Sequence, residues 1–355
     1  MAGPLRRAGL VGTGLIGGSI GLALRRAGWH VTGTDAGADT AEAARAMGAI
    51  DEIGVDPDAE VTFIATPVQA VAAAARLALG NSSGVVTDVG SVKASIVRAV
   101  DDARFLGGHP MAGSEQEGVA GADADLFAGA VWVLTPTTAT DDATYALLRS
   151  IISELGADVV ALPPEHHDAL VAVVSHVPHL TAASLMRLAD DRATEHRALL
   201  RLAAGGFRDM TRIASGHPGI WPDICAENRD AILDVLDGLL ASLQEVRGVV
   251  ASGDRAALLD VLDQARAARE NLPSRLGSTA DLCEIRVPVP DRPGVLAEVT
   301  TLAGQLDVNV ADLEIAHSSE GDRGVLILVV EVEAAERLRA GLLERGFRPA
   351  VAPLG

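Results

Sequence analysis

His109 lies in a stretch whose residue types do not predict a packed helix or strand. Residues 108–115 read GHPMAGSE, where a glycine pair precedes His109 and small or flexible residues follow it, without the periodicity of a helix or a strand. An imidazole has an unperturbed pKa of about 6.5, so near neutral pH it can take a proton from a substrate as a general base. The sequence therefore predicts proton-transfer chemistry at His109.

Three further stretches offer hydroxyl groups, imidazoles and guanidinium groups. TDVGSVKAS contains Lys93, the only lysine of the chain, and SHVPHL places two histidines within one helical turn, on either side of Pro178. GGFRDMTRIASGHPGIWPDI adds arginines beside flexible glycines. His176 is explained at least as well as a buried core histidine, and EHHD at 165–168 is interpreted as the polar start of a helix. The candidates are Ser91, Lys93, His109, Ser114, Ser175, His176, His179, Arg208, Asp209, Arg212 and Trp221.

A glycine-rich turn near the beginning of the chain is typical of dinucleotide binding. In GLVGTGLIGGS, Gly12, Gly14 and Gly17 stand between a predicted strand and a predicted helix, where amide groups can approach a pyrophosphate. Asp35 ends the next strand and is placed to accept hydrogen bonds from a ribose, which favours NAD over NADP. The predicted cofactor-binding residues are Gly12, Gly14, Leu15, Ile16, Gly17, Asp35, Thr66 and Pro67.

The elements that must position these groups alternate between strands and helices over residues 8–162. Seven short apolar runs, from AGLVGTG to ADVVALP, are separated by Ala-rich helical patterns. This alternation predicts an α/β domain of the Rossmann type over 1–162, with a parallel sheet covered by helices on both faces. Because ligands bind at the carboxyl edge of such sheets, Ser91, His109 and Ser114 are expected to meet there.

The rest of the chain predicts two further domains. Residues 163–276 carry apolar side chains at helical spacing and predict an all-helical domain. A linker-like stretch, NLPSRLGSTADL, follows. Residues 281–355 show the order βαββαβ, which predicts a small α+β ferredoxin-like module.

Composition limits the classes of partner and location. The formal net charge of -19, together with the lack of a basic stripe in the sequence, argues against a nucleic-acid partner, and no apolar run reaches the length that spans a bilayer. The two cysteines, Cys225 and Cys283, lie far apart in the sequence, and no signal peptide is evident. We expect a cytoplasmic protein with no metal site, no membrane partner and no nucleic-acid partner.

The motifs in their order resemble the prephenate dehydrogenase family of tyrosine biosynthesis. GTGLIGGS, DVGSVK, GGHPMAGSE, VVSHVPHL and GGFRDMTRIA follow the order and approximate spacing of that family over nearly the whole chain. The resemblance implies NAD-dependent oxidative decarboxylation of prephenate to 4-hydroxyphenylpyruvate. It also implies that the helical domain forms a homodimer.

The resemblance also implies a role for each candidate. His109 corresponds to the catalytic base that removes the proton of the ring hydroxyl, and Ser91 corresponds to the serine that orients it. Arg212 corresponds to the arginine that binds a substrate carboxylate, where a planar guanidinium suits bidentate pairing. The other substrate-binding residues implied in this way are His179, Ser114, Arg208 and Trp221.

Three alternatives remain open on the sequence. Arogenate, which carries an amino group where prephenate has a keto group, would undergo the same chemistry. A β-hydroxyacid dehydrogenase would, by resemblance, need a lysine in the helical domain, and Lys93 is not there. A non-catalytic sensor of dinucleotide and amino acid would leave His109, Ser91 and Arg212 unexplained.

The C-terminal segment resembles an ACT domain, a module that commonly binds amino acids as regulatory signals. The resemblance lies in PDRPGVLAEVT and VNVADLEI. It implies an aromatic amino-acid effector at the strand-to-helix turn of Gly294, facing Asn309, at an interface between two such domains.

Overall fold

The computed structural model describes residues 5–114, 116, 118–193, 199–270, 282–290, 292–317 and 323–353. By its internal contacts the chain divides into two compact units, Met1–Leu243 and Gln244–Gly355. The predicted boundary at 162/163 falls inside the first unit and remains a prediction. The predicted boundaries at 276 and 281 lie outside the described residues.

The first unit is built on an eight-stranded sheet in the order β3-β2-β1-β4-β5-β6-β7-β8. The first six strands of this order, β3-β2-β1-β4-β5-β6, follow the strand order of a Rossmann domain. All strand pairs are parallel except β6 with β7, which is antiparallel. The expectation of a purely parallel sheet was therefore wrong at this one pair. The strands are β1 (Arg7–Val11), β2 (His30–Thr34), β3 (Glu52–Ile53), β4 (Val61–Ile64), β5 (Val85–Asp88), β6 (Phe105–Pro110), β7 (Val131–Thr135) and β8 (Asp158–Ala161).

Helices follow the strands and bury their apolar faces on the sheet. The central strands are continuous apolar runs, such as Val61–Ile64, because both faces of a parallel sheet are covered. The core includes Leu10, Ile20, Phe63 and Trp132, each at most 1% exposed. The helices of this part are α1 (Leu15–Arg26), α2 (Ala38–Ala46), α3 (Val68–Asn81), α4 (Ala94–Ala99) and α5 (Asp142–Glu154).

The stretch around His109 is a strand and not the structureless segment that its residue types suggested. Gly107–Pro110 belongs to β6 and pairs with β7, where His109 stands opposite Val133. A Cβ atom on Gly108 would lie 2.8 Å from the carbonyl oxygen of Asp88 and 3.0 Å from Nε1 of Trp132. The glycines are required by this close packing, and they remove the alternation of side chains by which strands are detected.

A helical region follows β8, as predicted. α6 begins at Pro164, a position where the missing amide of proline is harmless. Between α6 and α7 lies one π-helical turn, Ala172–His176, and Pro178 lacks the amide that would bond to residue 174. The helices are α6 (Pro164–Val171), α7 (Val177–Ala193), α8 (Gly205–Thr211), α9 (Trp221–Glu227), α10 (Arg229–Ser252) and α11 (Arg255–Glu270).

The helical run Pro164–Ala193 is long and apolar enough to cross a membrane by length and composition. It also carries buried polar residues: His167 is 0% exposed, Asp168 5% and His176 1%. These side chains form hydrogen bonds within the first unit, so the run is a helix of the folded domain with an apolar exposed face.

The second unit contains a four-stranded antiparallel sheet in the order β10-β11-β9-β12. Its element order, βαββαβ, is the predicted one. The core joins alternate residues of β9, such as Ile285 and Val287, to residues of both helices, such as Val299 and Leu338. The elements are β9 (Leu282–Pro290), α12 (Val295–Gln305), β10 (Val310–His317), β11 (Arg323–Glu331), α13 (Val332–Glu344) and β12 (Ala350–Pro353).

Candidate active site

The glycine-rich turn joins β1 to the N-terminus of α1. Gly12 has a φ of +93°, in the left-handed region that favours glycine. A Cβ atom on Gly17 would collide with the carbonyl group of Gly12, so this glycine permits the helix to approach the turn. A Cβ atom on Gly14 would meet no atom within 4 Å, and no side chain caps α1 among the described residues. The amides of Leu15 and Ile16 therefore begin a helix with an open N-terminus, the arrangement that accepts a pyrophosphate.

Asp35 follows β2 and is tied to this turn. Its Oδ2 accepts hydrogen bonds from the amide of Thr13 at 2.7 Å and from the Thr13 hydroxyl at 3.2 Å. Its Oδ1 accepts a hydrogen bond from the amide of Gly37 at 3.0 Å. The carboxylate thus holds the glycine-rich turn in place, a structural role that the sequence did not indicate.

Thr66 and Pro67 follow β4 at the carboxyl edge of the sheet. The Thr66 hydroxyl oxygen is buried and has no hydrogen-bond partner among the described residues. Pro67 is the N-cap residue of α3. The open helix terminus, the space beside Gly14 and this unpartnered hydroxyl fit a dinucleotide at the switch point of the sheet.

His109 is joined to a buried histidine and carboxylate on α6. The Nδ1 atom of His109 lies 2.8 Å from Nε2 of His167, and Nδ1 of His167 lies 2.8 Å from Oδ1 of Asp168. Asp168 accepts hydrogen bonds from the amides of Lys93 at 2.8 Å and Ala94 at 2.9 Å. Burial, together with the positive charge of Lys93 and the neighbouring histidines, holds the pKa of His109 well below its ordinary value.

Lys93 is fully buried beneath the strand that carries His109. Its ammonium group pairs with Asp88 and donates a hydrogen bond to the carbonyl of Gly108 at 2.7 Å. Asp88 in turn accepts hydrogen bonds from the amides of Gly90 and Gly108. Buried ions are tolerated when they are paired and hydrogen-bonded. The Lys93–Asp88 pair binds both the carbonyl and the amide of Gly108 and so fixes the backbone directly before His109.

His176 belongs to a second buried network. The amide nitrogen of Asn228 donates a hydrogen bond to the carbonyl of Asp168 at 2.8 Å and lies 3.1 Å from Nδ1 of His176. Burial lowers the pKa of His176 to about 4. His176 is thus a satisfied core histidine, one of the two interpretations that the sequence left open.

An open cavity of about 590 Å³ lies between the loop after β6 and the helical region. Ser114, His179 and Trp221 line it, as do Ser175 and Gly216. The imidazole of His179 stacks on the indole of Trp221. The structure thus brings together three of the residues predicted to bind substrate.

The remaining predicted residues, Ser91, Arg208 and Arg212, are not among the described residues that line this cavity. Ser91 is half-buried in the turn between β5 and α4. Arg212 is exposed at the end of α8, and its side chain has interactions within the chain. Arg208 is exposed on α8, and its Nε donates a hydrogen bond to the carbonyl of Ala203 at 3.1 Å. The roles of these residues remain predictions.

In the second unit, Gly294 is the N-cap residue of α12 with a φ of +89°, and Asn309 is exposed directly before β10. A cavity of about 600 Å³ lies beside the turn, lined by Pro290, Arg292 and residues 345–348. Asp291, the first residue of DRPG, lies outside the described residues.

The structure adds functional candidates that sequence reasoning missed. EHHD was interpreted as a polar helix start, and that interpretation was wrong for its last two residues, which are buried: His167 contacts His109, and Asp168 contacts His167. Asn228 was not singled out. A proline directly before EHHD, which fixes the start of α6 against the sheet, was the available signal for His167 and Asp168.

Comparison with known protein families gives two matches that together cover most of the chain. Residues 20–161 match the nucleotide-binding domain of prephenate dehydrogenase, and residues 163–264 match its dimerization domain. The predicted Rossmann domain, helical domain and NAD cofactor are thereby confirmed at the level of the family.

Individual relatives agree with this assignment. The chain is 37% identical to the prephenate dehydrogenase of Bacillus subtilis, over 89% of this chain and 90% of that protein. It is 32% identical to the cyclohexadienyl dehydrogenase of Zymomonas mobilis, over 73% of this chain and 94% of that protein.

Solved structures of family members are also similar to this chain in their fold. The prephenate dehydrogenase of Aquifex aeolicus, in complex with hydroxyphenyl propionate and NAD⁺, has a TM-score of 0.72 and 30% identity, covering 77% of this chain and 100% of that one. The arogenate dehydrogenase of Synechocystis has a TM-score of 0.66 and 32% identity, covering 75% and 100%. With both domains matched in order and the glycine-rich turn and the half-buried His109 in place, the chain belongs to the prephenate dehydrogenase family.

Proposed function

We propose that this enzyme oxidises and decarboxylates prephenate to 4-hydroxyphenylpyruvate with NAD, with arogenate as the alternative substrate. The observation that carries the proposal is the placement of His109 near the carboxyl end of β6, with its Nδ1 atom 2.8 Å from Nε2 of the buried His167. Burial also lowers the pKa of His109, which favours the neutral imidazole that a general base needs in order to accept a proton. A sensor without catalysis would have no use for such a group.

The reaction assigns a proton transfer and its return to the chain. His109 would take the proton of the 4-hydroxyl group as hydride leaves C4, and bound NAD would accept the hydride. The resulting ketone is conjugated through the ring with the carbon that carries the carboxylate, so the bond to CO₂ breaks, its electron pair makes the ring aromatic, and the ring oxygen takes the proton back from His109. Ser91 is proposed to orient the hydroxyl group and His109, because Ser91 follows β5 and His109 lies near the carboxyl end of β6, the neighbouring parallel strand.

Substrate binding is proposed to use the cavity and the arginines beside it. His179, Ser114 and Trp221 line the cavity. Arg212 is proposed to bind a carboxylate by bidentate pairing, and Arg208 to add positive charge at the entrance. In a chain with a net charge of -19, local guanidinium groups are what a dianionic substrate requires.

The cofactor is proposed to bind along the glycine-rich turn. Gly14 would leave room for the pyrophosphate at the amides of Leu15 and Ile16, while Gly12 and Gly17 permit the tight turn and the close approach of α1 that place those amides. Asp35 would accept hydrogen bonds from the adenosine ribose, and Thr66 and Pro67 would line the opposite side of the site.

The substrate preference is proposed to favour prephenate. None of the described residues that line the cavity is acidic, so none of them offers a partner for the ammonium group of arogenate. The test measures NADH formation with prephenate and with arogenate, each with NAD and with NADP. We expect turnover with prephenate and NAD. Turnover with neither substrate would contradict the enzyme assignment, and a higher kcat/KM for arogenate would contradict the preference.

We also propose that the chain forms a homodimer in the cytoplasm. The helical region leaves large apolar side chains exposed, which is what an interface with a second copy would cover. Cys225 and Cys283 are free thiols, as expected in a reducing compartment. The exposed residues include Leu170, Val173, Val174, Leu188, Leu240 and Leu243.

For the second unit we propose an ACT-like regulatory role with an aromatic amino acid as effector. The support is the βαββαβ order, the left-handed Gly294 at the start of α12, and the neighbouring cavity with Arg345 and Arg348. Arg292 and Glu298 also line this cavity and pair with each other at 2.8 Å. Free amides and guanidinium groups are suited to the carboxylate of an amino acid.

The effector proposal is tested by calorimetry on the whole protein with tyrosine and phenylalanine. A Gly294→Val variant should lose binding, because a β-branched residue cannot adopt a φ of +89° without strain. Gly304→Ala, a change within α12 where a Cβ atom meets nothing within 4 Å, is the matched control. Binding of neither amino acid to the wild type, or equal binding to Gly294→Val, would contradict the proposal.

A further inference from the structure

We propose that His167 and Asp168 are positioning residues that fix His109 in the tautomer with its proton on Nδ1, which leaves Nε2 as the basic atom. This inference rests on the proposed function, because it specifies which atom of His109 takes the substrate proton. Neither residue was a candidate on the sequence.

The argument begins at the carboxylate of Asp168, where the direction of each hydrogen bond is known. Backbone amides can only donate, and those of Lys93 and Ala94 point at Oδ1 and Oδ2 of Asp168. Both oxygen atoms are therefore acceptors. The carboxylate is 5% exposed and is held at the start of α4, so it offers His167 a fixed acceptor.

The tautomer of His167 follows from that acceptor. Its Nδ1 lies 2.8 Å from Oδ1 of Asp168, so Nδ1 carries the proton and donates it. A neutral imidazole with a proton on Nδ1 has a lone pair on Nε2. His167 is 0% exposed, so water does not compete for that lone pair.

The tautomer of His109 follows in turn. The atom that faces Nε2 of His167, at 2.8 Å, is Nδ1 of His109. Because His167 accepts at this contact, His109 must donate, and its single proton is on Nδ1. The lone pair of His109 is then on Nε2, the atom directed away from His167.

The same contacts serve the charged form of His109. When the hydroxyl O–H bond breaks, the proton forms an N–H bond at Nε2, and the imidazolium keeps its Nδ1 proton directed at His167. The contact with His167 therefore holds the orientation of the ring through the proton transfer, while burial and the neighbouring positive charges keep the pKa of His109 low. The charged or titratable groups around His109 are His167, Asp168, Lys93, Asp88 and His176.

The chain supplies a matched pair of histidines for the test. His167→Gln keeps one acceptor and one donor in similar positions, whereas His167→Leu removes both. His166, the adjacent residue, is exposed, so His166→Gln is the control. We expect His167→Leu to lower kcat by about 10²-fold with the KM for NAD unchanged, and His167→Gln to recover most of that loss. The control should have wild-type kinetics.

Nuclear magnetic resonance of ¹⁵N-histidine protein reports the tautomer directly. We expect the wild type to show His109 protonated on Nδ1, identified by the loss of that signal in His109→Asn. Asp168→Ala removes the acceptor for His167, so His167 should no longer be held in one tautomer and His109 should show a mixture of protonation on Nδ1 and Nε2. Thermal unfolding of each variant checks that it is folded.

Two results would overturn the inference. One is His167→Leu with wild-type kcat, and the other is His109 protonated on Nε2 in the active wild type. If the proposed function were wrong, the wild type itself would form no NADH with prephenate. The tautomer of His109 is measured without turnover, so the two proposals can fail independently.

Discussion

The imidazole of His179 lies flat against the indole of Trp221, with ring centres 3.7 Å apart and planes inclined by 13°. His176 meets the same indole edge to face, with ring centres 6.2 Å apart. Trp221 therefore lies between a buried histidine and the histidine that lines the cavity. We infer that the indole sets the orientation of His179.

Removal of this indole should weaken substrate binding more than chemistry. An aromatic pair of this kind is worth about 0.5–1.5 kcal/mol beyond its buried area. Trp221→Ala should therefore raise the KM for prephenate by about 2- to 10-fold with little change in kcat, and Trp221→Phe should keep most of the affinity. The control is Ile220→Ala, at the exposed neighbouring residue. An unchanged KM in Trp221→Ala would show that the stack does not orient His179 for binding.

Arg212 should act through substrate affinity. Loss of a charge-assisted hydrogen bond to a carboxylate costs about 1.5–3 kcal/mol, so Arg212→Gln should raise the KM for prephenate by roughly 10- to 100-fold. Arg208→Gln removes a guanidinium group from the same helical region, and we expect a smaller effect. Steady-state kinetics at saturating NAD measure both. A larger effect for Arg208 would reverse the two assignments.

The acid side of the pH–rate profile should reflect the lowered pKa of His109. The base works only when neutral, and its pKa is lowered well below the ordinary value of about 6.5. The value of kcat/KM should therefore stay constant as pH falls through 6.5 and should decline only at clearly lower pH. The His109→Asn enzyme should lose this decline along with about 10²- to 10⁴-fold in kcat. A wild-type decline centred at or above pH 6.5 would contradict the lowered pKa of His109.

Asp35 should determine both cofactor choice and the shape of the glycine-rich turn. Asp35→Ser removes the charge that repels a 2′-phosphate and also the acceptor for Thr13, so the KM for NAD should rise and discrimination against NADP should fall. Asp35→Asn keeps an acceptor for Thr13 and separates the two effects. Asp39→Ser, on the exposed part of α2, is the control. A wild type that uses NADP as well as NAD would disprove this role of Asp35.

His176 should make the folded protein sensitive to acid. Its pKa is about 4 in the folded protein and about 6.5 when unfolded, so between these values the unfolded chain binds a proton that the folded protein does not. The free energy of unfolding should therefore decrease as pH falls from about 6.5 towards 4, by up to about 1.4 kcal/mol per pH unit for this group. Urea unfolding at pH 7 and pH 5 measures the change.

The matched variant for this prediction is His176→Gln, which cannot titrate. Its loss of stability between pH 7 and pH 5 should be smaller than that of the wild type. Equal losses would show that His176 is not the group responsible.

The sequence predicted the parts of the site whose signals are local. Gly12, Gly14 and Gly17 could be recognised because the tight turn between strand and helix requires glycine at this spacing. His109 could be recognised because nothing in its surroundings required it for packing. His179 and Trp221 came from motif resemblance, and the structure places both at one cavity.

The sequence could not predict contacts that depend on tertiary packing. Whether His167 faces solvent or the sheet depends on how α6 lies over α4, and its exposed neighbour His166 has the same residue type. The antiparallel pairing of β7 with β6 was missed because the amino-acid composition of a strand does not indicate its direction in the sheet. The strand at His109 was missed because the close approach of Asp88 and Trp132 requires Gly108, whose lack of a side chain hides the pattern.

Lys93 has a practical consequence for work on this protein. It is the only lysine among 29 basic residues, and its ammonium group is fully buried and paired. Reagents that acylate primary amines, such as succinimidyl esters, therefore find no lysine on the folded surface. Dyes and crosslinkers for this enzyme are better directed at introduced cysteines, and any acylation of Lys93 would report that the region beneath His109 has opened.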